Sequence, residues 1–336
     1  VPGFLGWLET DAGRVPRVAT ELSFADRAGA WKVRWAIGRM DYLVPSGLYA
    51  IGTPSPDNPV VVTANYKMSY DIVRSSLAGR NVWLLVLETF GINVWCAAGK
   101  GTFGTDEIVR RVKATRLGEI VGHRRLLLPI LGAPGVAAHL VAKRTGFTVR
   151  YATLRAADLP RYLDAGGVTT PQMRELTFTL WERLVLVPVE LVGALKPTAV
   201  VATALFLVSL LLGGGAAGGM ALIAAYVGAM LAGVVAAPLL LPWLPGRGFA
   251  LKGAFAGLAW CLAWYLAAGG SHWGVPTTLA AFLALPAVSA FHALNFTGCS
   301  TYTSRSGVKK EMRLSLPLMG SAVAAGLLLL VAARFF

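Results

Sequence analysis

The stretch Val82-Trp-Leu-Leu-Val-Leu-Glu-Thr-Phe-Gly-Ile-Asn-Val-Trp-Cys-Ala-Ala-Gly-Lys100 decides the reading of the fold. It opens as a continuous apolar run, the pattern of a strand covered on both faces. Asn93 is then a good N-cap, so Val94, Trp95 and Cys96 start a helix that Gly99 ends after a single turn. Outward from there, residues 31–37, 59–63, 81–88, 125–129 and 147–152 read as strands, and 67–79, 104–116 and 135–145 as helices. The alternation predicts a Rossmann-like α/β domain with a largely parallel sheet. Ligands of such sheets bind beyond the carboxyl ends of the strands. Here those ends meet the loops 63–66, 89–104 and 131–135, two of them rich in Gly, Pro, Ala and Asn.

The chain has 336 residues, 55% of them hydrophobic, above the ~45–50% of soluble domains. The excess is uneven, because beyond Lys196 the only acidic residue is Glu311. Residues 1–180 have the composition of a globular domain, 181–196 read as an interfacial linker helix with Glu182, Arg183, Glu190 and Lys196, and 197–336 read as transmembrane. Five stretches, about 197–214, 218–244, 249–269, 277–296 and 314–334, are long and apolar enough to span a bilayer as an all-α bundle.

Basic residues alternate between the connections. Arg247 and Lys252 mark one, and Arg305, Lys309, Lys310 and Arg313 another, while 213–219 and 269–276 carry no Lys or Arg. The positive-inside rule therefore places residues 1–180 and the loop 296–313 in the cytoplasm, with the chain in a bacterial cytoplasmic membrane. No signal-peptide pattern opens the sequence, which agrees with that placement. The spans carry no ionisable residue apart from His292, near the cytoplasmic end of the fourth, which argues against an ion relay.

The net charge of +14 is dispersed, with no basic tract interleaved with aromatics, so a lipid surface rather than nucleic acid is the expected partner. Cys96, Cys261 and Cys299 are too scattered for a disulfide framework or a zinc site. Gly99-Lys-Gly-Thr-Phe-Gly104 matches GxGxxG, but 89–98 intervene between strand and glycines, whereas a dinucleotide fold puts the first glycine directly after the strand. Cys96 has two readings. It is a small buried hydrophobe, or a thiol whose pKa the positive end of its helix lowers, favouring the metal-ligating thiolate.

The segment Asn93-Val-Trp-Cys-Ala-Ala-Gly-Lys100 resembles the cap-helix signature N-[VI]-W-C-A-[AG]-G-K of the mercury-methylating corrinoid proteins. Similarity extends through Val62-Thr-Ala-Asn-Tyr-Lys-Met-Ser-Tyr70, Leu131-Gly-Ala-Pro-Gly-Val136, Gly146 to Leu159 and the five-span tail. The soluble part also resembles the corrinoid domain of the corrinoid iron–sulfur protein large subunit, which lacks the cap cysteine. Glu88 stands where the family more often has aspartate, and Ile130 where it has glutamine.

The resemblance implies a cobalamin-type corrinoid with Cys96 as lower axial cobalt ligand. Asn93, Val94, Trp95, Ala97, Gly99 and Lys100 would frame its lower face, and Thr63, Asn65, Gly132 and Gly135 would line the pocket. No histidine sits in the DxHxxG pattern of corrinoid proteins that ligate cobalt by His. The implied reaction is methyl transfer from methyl–cobalt to Hg(II), giving methylmercury. It leaves Co(III), so two electrons are needed to regenerate Co(I). This chain has no iron–sulfur cysteine set. The family supplies a separate low-potential ferredoxin carrying iron–sulfur clusters, and a methyltetrahydrofolate-linked methyl donor. Two alternatives stay open: a corrinoid methyl carrier with another acceptor, and a membrane-anchored nucleotide-binding protein. The polar stretch 295–304 is expected to dock on the soluble domain or the ferredoxin.

Overall fold

A computed structural model describes residues 1–299 and 303–333. It divides into two units, Val1–Thr177 and Phe178–Phe336. In the first, β1 (Phe4–Thr10) and β2 (Gly13–Val18) form an antiparallel hairpin, followed by α1 (Phe24–Arg34) and β3 (Gly47–Ile51). Then come β4 (Val60–Ala64), α2 (Lys67–Ser76), β5 (Val82–Leu87), α3 (Val94–Lys100), α4 (Thr105–Ala114) and α5 (Leu117–Ile120). The unit ends with β6 (Arg125–Leu128), α6 (Ala138–Thr145), β7 (Thr148–Tyr151) and α7 (Leu159–Asp164).

The seven strands make one sheet in the order β1-β2-β3-β5-β4-β6-β7. Strands β5, β4, β6 and β7 are mutually parallel, while β3 runs antiparallel to β5. From β4 the chain steps to β5 on one side and then crosses back to β6 on the other. That reversal is a topological switch point, and the crevice beyond the carboxyl ends of β4 and β6 is where such sheets take ligands. Both faces are covered. Val60, Val62 and Ala64 of β4 enter one apolar core with Leu85 and Leu87, and Val61 enters the other with Leu84 and Val86. Burial of each such side chain contributes about 1.5–3 kcal/mol, which is why these strands read as unbroken apolar runs.

Residues 31–37, expected as a strand, instead fall largely in α1. Their apolar–basic alternation is overridden by a capping box, in which Ser23 Oγ accepts from Asp26 N–H while Asp26 accepts from Ser23 N–H. Strands β1, β2 and β3 were not expected. Gly6 lies at a bulge in β1, Pro16 sits inside β2, and β3 is five residues long, so none shows a clean period of two.

A buried ionic cluster joins α1 to α2. Lys67 Nζ lies 2.5 Å from Asp26 and 2.6 Å from Asp71. Arg74 reaches the other oxygens of the same two carboxylates at 2.8 Å each, and also donates to the Ala19 and Glu21 carbonyls. Burial alone would raise the Asp26 pKa, but hydrogen bonds from Lys67 and Ser23 outweigh it and hold the carboxyl well below the usual carboxylate range.

The second unit contains α8 (Leu180–Leu184), α9 (Val187–Leu211) and α10 (Gly215–Leu231), which continues through a π-turn into α11 (Ala237–Leu239). After these come α12 (Phe249–Ala267), α13 (Val275–Asn295) and α14 (Arg305–Ala332). Among the described residues, five segments are long and apolar enough to cross a membrane: Leu180–Leu211, Gly215–Leu239, Phe249–Ala267, Val275–Gly298 and Ser306–Ala332.

No separate helix covers 181–196. Only α8 stands apart, opened by a Thr179–Glu182 capping box, and α9 runs unbroken through Lys196 and Pro197. A single proline kinks a helix but does not supply the turn residues that would end it. Gly253 and Gly257 bring α12 against Ala290, Ser289 and Pro286 of α13, and Ser289 Oγ donates to the Gly253 carbonyl at 2.7 Å. Small residues and interhelical hydrogen bonds of this kind are what hold helices together in lipid. Glu311 accepts from Ala250 N–H at 2.7 Å, placing a carboxylate at the positive end of α12. Of the polar stretch 295–304, residues 300–302 lie outside the described residues.

Candidate functional site

The carboxyl ends of β4, β5 and β6 converge on one edge of the sheet, and α3 lies in the connection that leaves β5. The turn between β5 and α3 is built on Asn65, which follows β4 and is fully buried. Its Nδ2 donates to Glu88 at 2.6 Å, and its Oδ1 accepts from Thr89 N–H at 3.0 Å and Gly91 N–H at 3.2 Å. The Thr89 hydroxyl lies 2.9 Å from the same oxygen and 2.7 Å from the Ile92 carbonyl. Glu88 also accepts from Phe90 N–H, and its own N–H donates to Glu107 of α4, a carboxylate gripped by Arg110 and Arg111. Phe90 and Gly91 are both left-handed, at φ 55° and 69°. Asn65 is thus a positioning residue: one buried amide fixes the approach to α3.

Asn65→Ala removes the acceptor of two buried N–H groups and leaves the Glu88 carboxylate short of a donor. Each buried orphan costs about 1–3 kcal/mol, so the first unit should lose on the order of 2 kcal/mol or more in denaturant unfolding. A loss below ~0.5 kcal/mol, the range of a neutral surface change, would contradict the positioning role.

Within α3, Asn93 caps as expected, its Oδ1 accepting from Cys96 N–H at 2.9 Å. Ala97 and Ala98 are buried in the sheet core, Val94, Trp95 and Cys96 are half-buried, and Gly99 and Lys100 are exposed. The helix does not stop at Gly99 after one turn as expected: it runs through Lys100, about two turns, and ends on Gly101, whose left-handed φ of 83° a glycine adopts without strain. The Cys96 thiol pKa is raised, not lowered. Burial is the largest influence and exceeds the opposing pull of Lys100, the Asn93 hydrogen bond and Arg39. Among the described residues no three His, Cys, Asp or Glu side chains converge on a metal position.

Three other expected residues take part differently. Gly132 and Gly135 lie in the turn Ile130–Gly135, against which α3 packs. A Cβ at Gly135 would stand 3.0 Å from Ala98 Cα and collide with the Phe103 carbonyl, and one at Gly132 would stand 2.5 Å from the Phe103 ring. Their absent side chains let the two loops close on each other. Thr63 alternates with Val62 and Ala64 and so shares the face of Val61, opposite the core that takes Ala97 and Ala98. Among the described residues its buried hydroxyl has no hydrogen-bond partner, and neither has that of Tyr66.

The GxGxxG glycines have their own explanation. Gly99 is helical, Gly101 is the left-handed C-cap and Gly104 the N-cap of α4, so none forms a phosphate loop after a strand. Residues 39–43 border the site and gave no sequence signal. The Met40 carbonyl sits 3.1 Å from where a Gly91 Cβ would lie, and the Arg39 guanidinium lies 6.0 Å from the Tyr66 ring centre. Met40, Leu43 and Phe90 are exposed apolar side chains along this border.

Fold and site together define an α/β sheet domain with a short cysteine-bearing helix at its carboxyl edge, followed by a unit of five apolar helices. Residues 39–157 match a sequence family described as CdhD, CO dehydrogenase/acetyl-CoA synthase delta subunit. The chain is also similar to acetyl-CoA decarbonylase/synthase complex gamma subunits. That of Methanopyrus kandleri is 32% identical over 127 residues, covering 37% of this chain and 27% of the relative. The Archaeoglobus fulgidus subunit is 32% identical over 126 residues, covering 36% and 26%. The chain spans about a quarter of the length of these relatives. The family match, 39–157, takes in β3 to β7 and every expected site residue.

Proposed function

We propose that this chain is a corrinoid-dependent methyltransferase that passes a methyl group to Hg(II), with Cys96 as lower axial ligand of cobalt. The observation that carries the reading is the placement of Cys96. It is half-buried on a short helix at the carboxyl edge, with its backbone held by Asn93 and its thiol uncommitted to a disulfide. Unpartnered buried hydroxyls on Thr63 and Tyr66 are further polar groups near this edge that a large ligand could satisfy. A bound corrinoid would supply the cobalt centre that carries the methyl group.

The chain's own residues would do the rest. Cys96 must shed its proton to ligate, and Lys100, Arg39 and the Asn93 cap lower the cost that burial imposes. Val94, Trp95, Ala97, Gly99 and Lys100 complete the helix that presents the thiol, and Asn65, Gly132 and Gly135 hold its two supporting loops together. Electrons would come from a low-potential ferredoxin and methyl groups from a methyltetrahydrofolate-linked donor. Residues 1–180 would face the cytoplasm, and the five apolar helices would lie in the cytoplasmic membrane.

The relatives' names favour one second reading, methyl carriage to an acceptor of acetyl-CoA chemistry instead of mercury. Anaerobic reconstitution of the purified chain with a methylated corrinoid, ferredoxin and Hg(II) separates the two. Methylmercury at many turnovers is expected. A corrinoid-bearing protein that forms none would leave the second reading standing, and a colourless protein that takes up no corrinoid would remove both. For topology, cysteines placed at Arg247 and Ser271 should be labelled from opposite sides of sealed vesicles, Arg247→Cys from the side of the first unit. Labelling of both from one side would overturn the five-span arrangement.

A further inference from the structure

We propose that the second unit binds an anionic phospholipid, with its acyl chains in a groove between α9 and α14 and its phosphate at Lys309, Lys310 and Arg313. The groove has a volume of about 1410 Å³, more than the ~300–1,000 Å³ that suits one drug-sized ligand. One wall is α9, through Val201 and Leu205, the other is α14, through Leu316 and Val323, and Ala284 and Val288 of α13 lie between. Its lining on α9 runs from Glu190 to Val208, which at ~1.5 Å per residue is about 27 Å, close to the ~30 Å hydrocarbon thickness of a bilayer.

Trp273 and Thr277 line one end, while the other, where α9 begins and α13 finishes, is lined by His292 and Asn295. Glu190 borders the same end and is engaged within the chain. The connection from α13 is short, so α14 starts at that end too. The groove-facing residues Leu316, Gly320, Val323 and Leu327 follow helical spacing, and the same stripe continues back to Arg313 and Lys309. Lys309, Lys310 and Arg313 are exposed and, with Ser306 and Leu314, bound a second depression of about 360 Å³.

Among the described residues none of the three is ion-paired. The neighbouring acid, Glu311, is committed to Ala250. Three cations without an ion pair among the described residues, at one end of an aliphatic groove, match a phosphate joined to acyl chains. A zwitterionic lipid or an apolar helix of another protein offers those cations no net charge.

The proposal rests on the membrane reading, which alkaline extraction of the full chain from membranes tests by itself. Native mass spectrometry of the detergent-solubilised full chain, titrated with dioleoyl-phosphatidylglycerol or dioleoyl-phosphatidylcholine, tests the site. The anionic lipid should bind at least about tenfold more tightly, and K309Q/K310Q/R313Q should abolish that preference. Lys309→Arg with Lys310→Arg and Arg313→Lys should keep it, which separates charge from folding. Ala284→Phe, which leaves the cations in place, should weaken phosphatidylglycerol binding by filling the groove. Equal binding of the two lipids, an unchanged preference in the glutamine variant, or full displacement by inorganic phosphate would each overturn the proposal. So would a co-purifying polypeptide that Ala284→Phe expels.

Discussion

Replacing Cys96 with alanine is expected to abolish methyl transfer to Hg(II) while the protein stays folded and keeps part of its corrinoid. The cap of α3 uses the Cys96 backbone N–H and the Asn93 side chain, and both survive the substitution. Burial of Ala97 and Ala98 survives too. What goes is a half-buried sulfur, a packing loss on the order of 1 kcal/mol, and with it the proposed metal-ligating thiolate. The cobalt absorption spectrum should therefore shift and the methylation rate collapse, although unfolding is little changed. Cys261 is buried in the second unit, and Cys261→Ala should leave the spectrum as in the wild type. Histidine at position 96 is a weaker donor with a larger ring and should restore coordination better than rate. If Cys96→Ala matches the wild type in both spectrum and rate, the ligand role is wrong.

Arg74→Ala should be the most destabilising single change in the first unit. Its guanidinium is fully buried and bridges Asp26 to Asp71 while also serving two carbonyls. Without it, Lys67 is the one cation left to the two buried carboxylates among the described residues, with Ser23 still donating to Asp26. Removing one partner of a buried ion pair costs about 3–5 kcal/mol, which for a unit of this size lowers the thermal midpoint by on the order of 10 °C. Arg74→Lys recovers the charge but not the fork and should regain less than half.

The pH dependence has a definite sign. Asp26 is depressed in the folded protein, so its contribution is complete above the ordinary carboxylate pKa and is lost as pH falls through the folded value. The Lys67 pKa is raised, because the hydrogen bonds it donates to Asp26 and Asp71 outweigh burial. Its share is complete below the ordinary lysine pKa and is lost as pH rises through the folded value. Thermal unfolding of the detergent-solubilised chain, followed through the first unit, would count against the cluster if Arg74→Ala moved the midpoint by less than ~2 °C.

The parallel half of the sheet was legible because β4, β5 and β6 are covered on both faces, and so write short runs of consecutive β-branched and leucine residues bounded by turn residues. The Asn93 cap was legible for a local reason, since side chain and acceptor lie three residues apart. The antiparallel edge was not. Its strands are held by neighbours far along the chain, with Gly6 and Pro16 interrupting their pattern. Helix α1 hid behind alternating Trp31, Lys32, Val33 and Arg34, although Ser23 and Asp26 carried the capping signal. At the site, helix position alone suggested a depressed Cys96 pKa, because desolvation by the folded loops cannot be seen in a sequence. The role of Asn65 was hidden likewise, since Glu88, Thr89 and Gly91 meet it only after the sheet has formed.

The Asn65 junction also bears on how a ligand would be received. A loop that closes over its ligand must be ordered at the moment of binding, and that entropy is subtracted from affinity. Here the left-handed pair Phe90–Gly91 and the turn before α3 are already immobilised by an amide rooted at the end of β4. The ordering cost is met during folding, and the thiol is carried on a preorganised mount. Any departure and return of Cys96 from a bound metal would then be a matter of side-chain rotation on a fixed helix, not of helix movement.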